Sequence, residues 1–188
     1  MDKPVKSIKD LKGLKIRMTG GPPTDMVKAL GAVPLLMPMT DVYISLQKGV
    51  IDGMGAPWEA IHTYRFYEVV NHYTEVPFPD VYFSIVMNKN TWKRLPESVQ
   101  KAIMSVGGLE GSKFWGHNFF DTVKAETLEK IKASGNGDHI YKLSKEERDR
   151  WLEIGGKPIW DEWIKRMKSK GFPNASAILD ATIKLSEE

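Results

Sequence analysis

Arg17 is the residue in this chain whose type and setting point most directly to binding chemistry. It lies in the stretch Leu11-Lys-Gly-Leu-Lys-Ile-Arg17-Met-Thr-Gly-Gly-Pro-Pro-Thr24, in which Lys15–Met18 reads as a short strand. The glycines and prolines that follow turn the chain before a helix expected from about Thr24. Arg17 is thus expected at the carboxyl end of a strand, where open α/β sheets place their ligands. A guanidinium keeps its charge at any working pH and offers a planar fork of donors, so a carboxylate can take two parallel hydrogen bonds from it. The competing reading is structural: an exposed arginine, or one paired with Glu59, Asp25 or another acid.

Three strand-then-helix units must position that side chain. Lys15–Met18 is followed by Thr24–Leu30, stopped at Gly31; Val33–Met37 by Thr40–Lys48, stopped at Gly49; and Val50–Met54 by a helix opening at Pro57 and carrying Trp58 and Glu59. Short strands alternating with short helices demand a parallel sheet with right-handed crossovers. The turns at Arg17, at Pro38-Met39-Thr40 and at Ala56-Pro57-Trp58-Glu59 then open on one edge and are expected to converge on one cleft, with helix amino termini favouring an anion there.

Beyond Asn71, Tyr73–Phe78 and Val81–Met87 read as extended, and a helical pattern runs from Ser98 to about Ser134. Unbroken, it would measure about 55 Å at about 1.5 Å per residue, long enough to lie across two lobes; Gly107, Gly108, Gly111 and Gly116 are positions where it can bend. His139–Leu143 is a last strand. Ser144-Lys-Glu-Glu147 is a capping box, Pro158 restarts the helix it opens, and Ala175 to about Leu185 is the final helix. The fold class expected is α/β, with blocks at 1–75 (ligand-binding lobe), 76–135 (crossover strands and long helix) and 136–188 (carboxyl-terminal strand and helices).

Composition narrows the function classes. The 188 residues carry 27 basic and 24 acidic side chains for a net charge of +3, interleaved, with no basic block that would track nucleic acid. Absence of cysteine removes disulfides, thiolate metal sites and a cysteine nucleophile. His62, His72, His117 and His139 do not fall at metal-ligand spacing, so no metal or cofactor is expected. Gly20-Gly21-Pro22-Pro23 lacks the ending of a phosphate loop, and its prolines remove the donors a phosphate would use. No Gly-x-Ser-x-Gly elbow occurs, and Glu146-Glu147 lies on a solvated helix, so the chain does not read as an enzyme. Trp151, Trp160 and Trp163 recur at helical intervals and read as core.

The order of short motifs carries further information. Asp10-Leu-Lys-Gly-Leu-Lys-Ile-Arg17, Met26-Val-Lys-Ala-Leu-Gly-Ala32, Pro38-Met-Thr-Asp-Val-Tyr43, Leu46-Gln-Lys-Gly-Val-Ile-Asp-Gly53 and Asn88-Lys-Asn-Thr-Trp-Lys-Arg-Leu-Pro96 together resemble the extracytoplasmic solute receptors of TRAP transporters, the dicarboxylate-binding protein family. The resemblance implies a periplasmic-binding-protein-like lobe with flanking helices, plus a long helix and strands returning toward an incomplete second lobe. It implies an organic-acid receptor that hands its ligand to sodium-coupled membrane permease subunits, with Arg17 holding the carboxylate. Many members have Asn where this chain has Ala56, and that departure, with Trp58 on the same turn, turns the expectation from a dicarboxylate or sugar acid to a monocarboxylate with an apolar or aromatic body. Met39, Glu59 and Asn88 complete the candidate ligand set; Trp58 is equally read as packing, and Glu59 as a solvated helix end. Periplasmic localisation follows, with a signal peptide expected on a longer parent. Family members are longer, so pairing with a second copy, as a homodimer or by strand exchange, is also expected. The readings from other classes are an effector-sensing domain of a transcription regulator and a carboxylate-handling enzyme.

Overall fold

A computed structural model describes residues 3–76 and 83–186. In chain order the elements are α1 (Ile8–Leu11), β1 (Lys15–Met18), α2 (Pro22–Ala29), β2 (Val33–Leu36), α3 (Met39–Gln47), β3 (Gly53–Met54), α4 (Trp58–Thr63), β4 (Tyr73–Glu75), α5 (Lys89–Arg94), α6 (Glu97–Ser105), α7 (Gly108–Trp115), α8 (Thr122–Ile131), β5 (Ile140–Lys142), α9 (Lys145–Trp151), α10 (Lys157–Ser169) and α11 (Ala175–Ser186). They fall into two compact units, residues 1–55, 69–79 and 139–188 in one, and 56–68 and 80–138 in the other. The division is discontinuous, where the sequence suggests three successive blocks.

The first unit is built on the expected parallel sheet, in the order β2-β1-β3. Lys15 pairs with Val33 and Arg17 with Leu35 on one side, and Arg17 with Met54 on the other, so the strand carrying Arg17 is central. The third strand is shorter than its apolar run suggests. Val50 N and Ile51 N both donate to Ser45 O, wrapping the chain onto the end of α3. Asp52 then brackets Lys15, its N–H donating to Lys15 O at 2.8 Å and its carboxylate accepting from Lys15 N at 2.7 Å. α2 starts two residues before the expected Thr24, because Pro22 and Pro23 occupy its first turn, where no backbone donor is needed. Thr24 serves the turn instead, its hydroxyl accepting from Gly20 N at 3.0 Å.

Ile16 and Met18 point into a core with Met26, Val27, Leu30, Leu143 and Trp151. The segment after α9, Leu152–Gly156, is π-helical and lays Gly155 against α2. A Cβ at Gly155 would stand 2.7 Å from Met26 Cγ, so this helix approach requires glycine. The box at Ser144 is half made: Ser144 Oγ accepts from Glu147 N at 3.3 Å, but the Glu147 carboxylate reaches Ile8 N at 3.1 Å, satisfying an orphan donor of α1. β4 and β5 form a separate parallel pair with Tyr73 opposite Ile140, and Thr74 Oγ1 donates to Val5 O at 2.7 Å.

The second unit packs α4 on α8 around Ala60, Ile61, Phe66, Thr127 and Ile131. The expected helix from Ser98 to Ser134 is broken between α6 and α7, and Gly108 has φ +62, a conformation that only glycine adopts without strain. From Gly108 the chain winds on through α7, a π-helical stretch at Gly116–Asp121 and α8. All of it lies in this one unit. Of the expected strand Val81–Met87, residues 83–87 join no ladder, and residues 81 and 82 lie outside the described residues, as do 77 and 78 of the preceding extended run.

Burial pushes the Tyr73 hydroxyl up to about 12 while it donates to Val70 O at 2.9 Å. An unfolded tyrosine ionises near about 10. The stability held by the neutral phenol is therefore complete below pH about 10 and lost as pH rises through about 12. Urea denaturation across this window should show stability falling in the parent and a flatter alkaline limb in Tyr73→Phe; equal slopes would rule Tyr73 out as the responsible group.

Candidate functional site

The alternation of a strand separates two jobs on β1. Ile16 and Met18 face the core, and Arg17 projects to the opposite face. It is nonetheless buried, at 6% exposure. A buried guanidinium requires hydrogen-bond acceptors, and the end of β2 supplies one: Nε and Nη2 both donate to Met37 O, at 3.3 and 3.2 Å. The fork is thereby held at the carboxyl edge of the sheet, where the sequence places a ligand. Gly55 N donates to Arg17 O at 3.0 Å, so the backbone of Arg17 is pinned from the β3 side as well.

Met37 and Pro38 form the second turn. Pro38 has φ −55 and ψ 146 and ends as the cap of α3, and half-buried Met39 opens that helix. Thr40, expected to begin the helix, lies inside its first turn, its hydroxyl 3.3 Å from Asp41 Oδ1. The third turn leaves β3 through Gly55, and Ala56, Trp58 and Glu59, all partly buried, belong to the second unit. There the carbonyl of Trp58 is reached at 3.2 Å by Thr127 Oγ1, which also contacts Val123 O at 2.6 Å; Thr127 is fully buried. Glu59 Oε1 accepts from Thr63 Oγ1 at 3.4 Å, one turn along the same helix. Asn88 is the cap of α5, with Oδ1 accepting from Asn90 N at 2.9 Å and Thr91 N at 3.3 Å.

Sequence reasoning missed two contributors. The Met37 carbonyl is a backbone group, and its only signal is a residue before proline at a strand end. Thr127 sits in a helical run whose pattern does not announce a buried hydroxyl. The histidines are accounted for locally: His62 Nε2 lies 3.5 Å from Glu126 Oε2, His117 Nδ1 lies 3.2 Å from Asp121 Oδ2, and the His72 and His139 rings meet at a 35° tilt with centroids 4.6 Å apart. Among the described residues no group of three or more His, Cys, Asp or Glu is arranged to hold a metal ion, and no helix is long and apolar enough to cross a membrane. An open concavity of about 810 Å³ runs along α4 and α8 between His62 and Lys132 and includes none of the six candidate ligand residues.

The sheet and its guanidinium at the carboxyl edge are what the comparisons with known proteins have to account for. The chain belongs to the bacterial extracellular solute-binding proteins, family 7, the DctP family, whose model matches residues 1–166. It is 29% identical over 174 residues to the C4-dicarboxylate-binding periplasmic protein DctP of Rhodobacter capsulatus, covering 92% of this chain and 50% of that one. Among solved structures, a TRAP solute-binding protein of Rhodoferax ferrireducens with copurified benzoate superposes at a TM-score of 0.82, with 28% identity over 98% of this chain and 60% of that one. A TRAP periplasmic solute-binding protein of Bordetella bronchiseptica with bound mandelate superposes at 0.78, with 28% identity over 97% and 58%. The chain thus spans about half the length of the curated relatives it matches. The α/β class and the receptor family expected from the motifs are both confirmed.

Thr127→Val removes the hydroxyl while keeping the side chain's shape. It should cost about 1–2 kcal/mol, because the single hydroxyl hydrogen, shared between the Val123 carbonyl at 2.6 Å and the Trp58 carbonyl at 3.2 Å, is lost. Urea unfolding measures this, and a variant as stable as the parent would show that the hydroxyl contributes nothing.

Proposed function

We propose that these residues form the anion-holding part of a TRAP-type receptor for an organic monocarboxylate with an apolar or aromatic body. Arg17 takes the carboxylate, and Ala56 and Trp58 bear on which acid body is accepted. The observation that carries the reading is the buried Arg17 guanidinium held at the sheet's carboxyl edge by the Met37 carbonyl. The benzoate- and mandelate-bound relatives support an aromatic acid. Ala56 supplies no donor for a second carboxylate, and Trp58 supplies a broad apolar wall. Met39 opens α3 two residues beyond the carbonyl that holds the fork. Glu59 and Asn88 hydrogen-bond within their own helices and are left to local roles. In this reading the receptor works in the periplasm and passes its acid to a sodium-coupled permease, binding energy holding the closed form that the permease meets.

The curated relative that binds C4-dicarboxylates favours a second reading, in which the same arginine holds one of two carboxylates. Calorimetric titration with benzoate, mandelate and succinate separates the two. It is run on the chain and on the Rhodoferax receptor carrying these residues in place of its matching segment. The aromatic acids should bind more tightly than succinate. Arg17→Ala should weaken them by about 2–5 kcal/mol, at least roughly thirtyfold, and Ala56→Asn should narrow the preference. Unchanged affinity in Arg17→Ala would remove the proposal, and recovery of the acid chemically altered would favour an enzyme.

Pairing with a second copy is part of the same proposal. Residues 83–88 join no ladder, and Phe83, Ile85 and Val86 are 67%, 87% and 84% exposed. A stretch of this kind, without charge or proline, is an open template for strand pairing. Light scattering on the isolated chain should report a dimer, and a monomer across the micromolar range would exclude the pairing.

A further inference from the structure

We infer that Pro38 is a positioning residue of the anion site: by keeping Met37 out of the helical region, it holds the Met37 carbonyl on the Arg17 guanidinium and fixes which edge of the fork is left to an acid. This rests on the reading that Arg17 takes the carboxylate, and it adds what aims it.

An arginine side chain has many rotamers, and a free one would offer its fork in many planes. Here Nε and Nη2, two N–H groups along one edge of the fork, converge on the single oxygen of Met37 at 3.3 and 3.2 Å. Two bonds from one rigid edge to one oxygen fix which edge of the guanidinium faces β2 and leave the remaining N–H groups to a ligand. The carbonyl itself must then stay out of helix α3, which begins only two residues later, at Met39. With an ordinary residue at 38, Met37 would be able to adopt helical angles. Its carbonyl would then turn along the helix axis toward the N–H groups of the first turn. The pyrrolidine ring blocks this, because the residue before proline is driven from the helical region to the extended one.

Pro38 has no other evident task. Its side chain is exposed, so it contributes little to the core. It caps α3 with no side-chain hydrogen bond, where serine, threonine or aspartate would supply one. What proline does best at this position is constrain its predecessor.

Pro38→Ser separates aiming from stability. Serine frees Met37 and offers α3 a side-chain cap, which offsets the unfolded-state entropy that loss of proline returns, so the melting temperature should hold. The direct readout is the Arg17 Nε–H resonance in nitrogen-edited NMR of the chain, expected to exchange slowly with solvent in the parent and rapidly in Pro38→Ser. Benzoate affinity should fall roughly tenfold in Pro38→Ser. The substitution should add no loss in an Arg17→Lys background, since an ammonium has no fork edge to aim. Unchanged Nε–H exchange, unchanged benzoate affinity, or an equal loss in the lysine background each overturns the inference. If Arg17→Ala binds as well as the parent, or no acid binds at all, the carboxylate reading fails separately, and the Nε–H exchange still decides whether Pro38 aims the fork.

Discussion

A guanidinium buried in the middle of a parallel sheet constrains everything placed around it. Removing that charge from water is costly unless acceptors replace the lost solvent, and at 6% exposure Arg17 has left most of its water behind. The Met37 carbonyl is part of the replacement, and its availability depends on β2 ending at Leu36 and α3 waiting until Met39. The register of β1 against β2, with Arg17 opposite Leu35, then puts the fork within reach of a carbonyl two residues further along the neighbouring strand. Strand length, register and turn conformation are thus set together by the demand of one charged side chain.

The elements most legible in the sequence are those whose signals are local. β1 spans the expected Lys15–Met18, and Gly31 and Gly49, with φ of +92 and +67, stop α2 and α3 where glycine is required. The misread boundaries share a cause, since a residue seen as a breaker was doing a second job. Pro22 and Pro23 read as delaying α2 and instead form its first turn, because proline is tolerated where the N–H has no helical partner. Gly107 and Gly108 read as bending a long helix and instead separate two helices, because a positive φ at Gly108 cannot be absorbed within a helix interior.

What the sequence conceals is non-local. The capping pattern at Ser144 correctly marks a helix start, yet the Glu147 carboxylate goes to Ile8 N, 139 positions away, and no spacing rule reports such a partner. The candidate site divides in the same way. Arg17 is visible because its charge in a short apolar strand is conspicuous. The Met37 carbonyl and the Thr127 hydroxyl under Trp58 are not visible, one because every residue has a carbonyl, the other because a threonine in a helix is unremarkable until its burial is known. Asn88, noticed through a motif, also holds a helix end, a task that its motif does not announce.

The strand's two-residue period explains how one fold can keep its stability while its ligands change. Ile16 and Met18 carry the core side of β1 and are packed with α2, Leu143 and Trp151, while Arg17 is on the opposite face, beside its register partners Leu35 and Met54. Substitutions in the turns at the sheet's carboxyl edge therefore leave this core untouched. Relatives only 28–29% identical superpose on the chain or align over nearly all of it, yet they are described with C4-dicarboxylates, benzoate or mandelate. In the proposed reading Arg17 answers to what those ligands have in common, a carboxylate. Their bodies differ, and in that reading side chains outside the core, Ala56 among them, sort the acids without bearing on the fold.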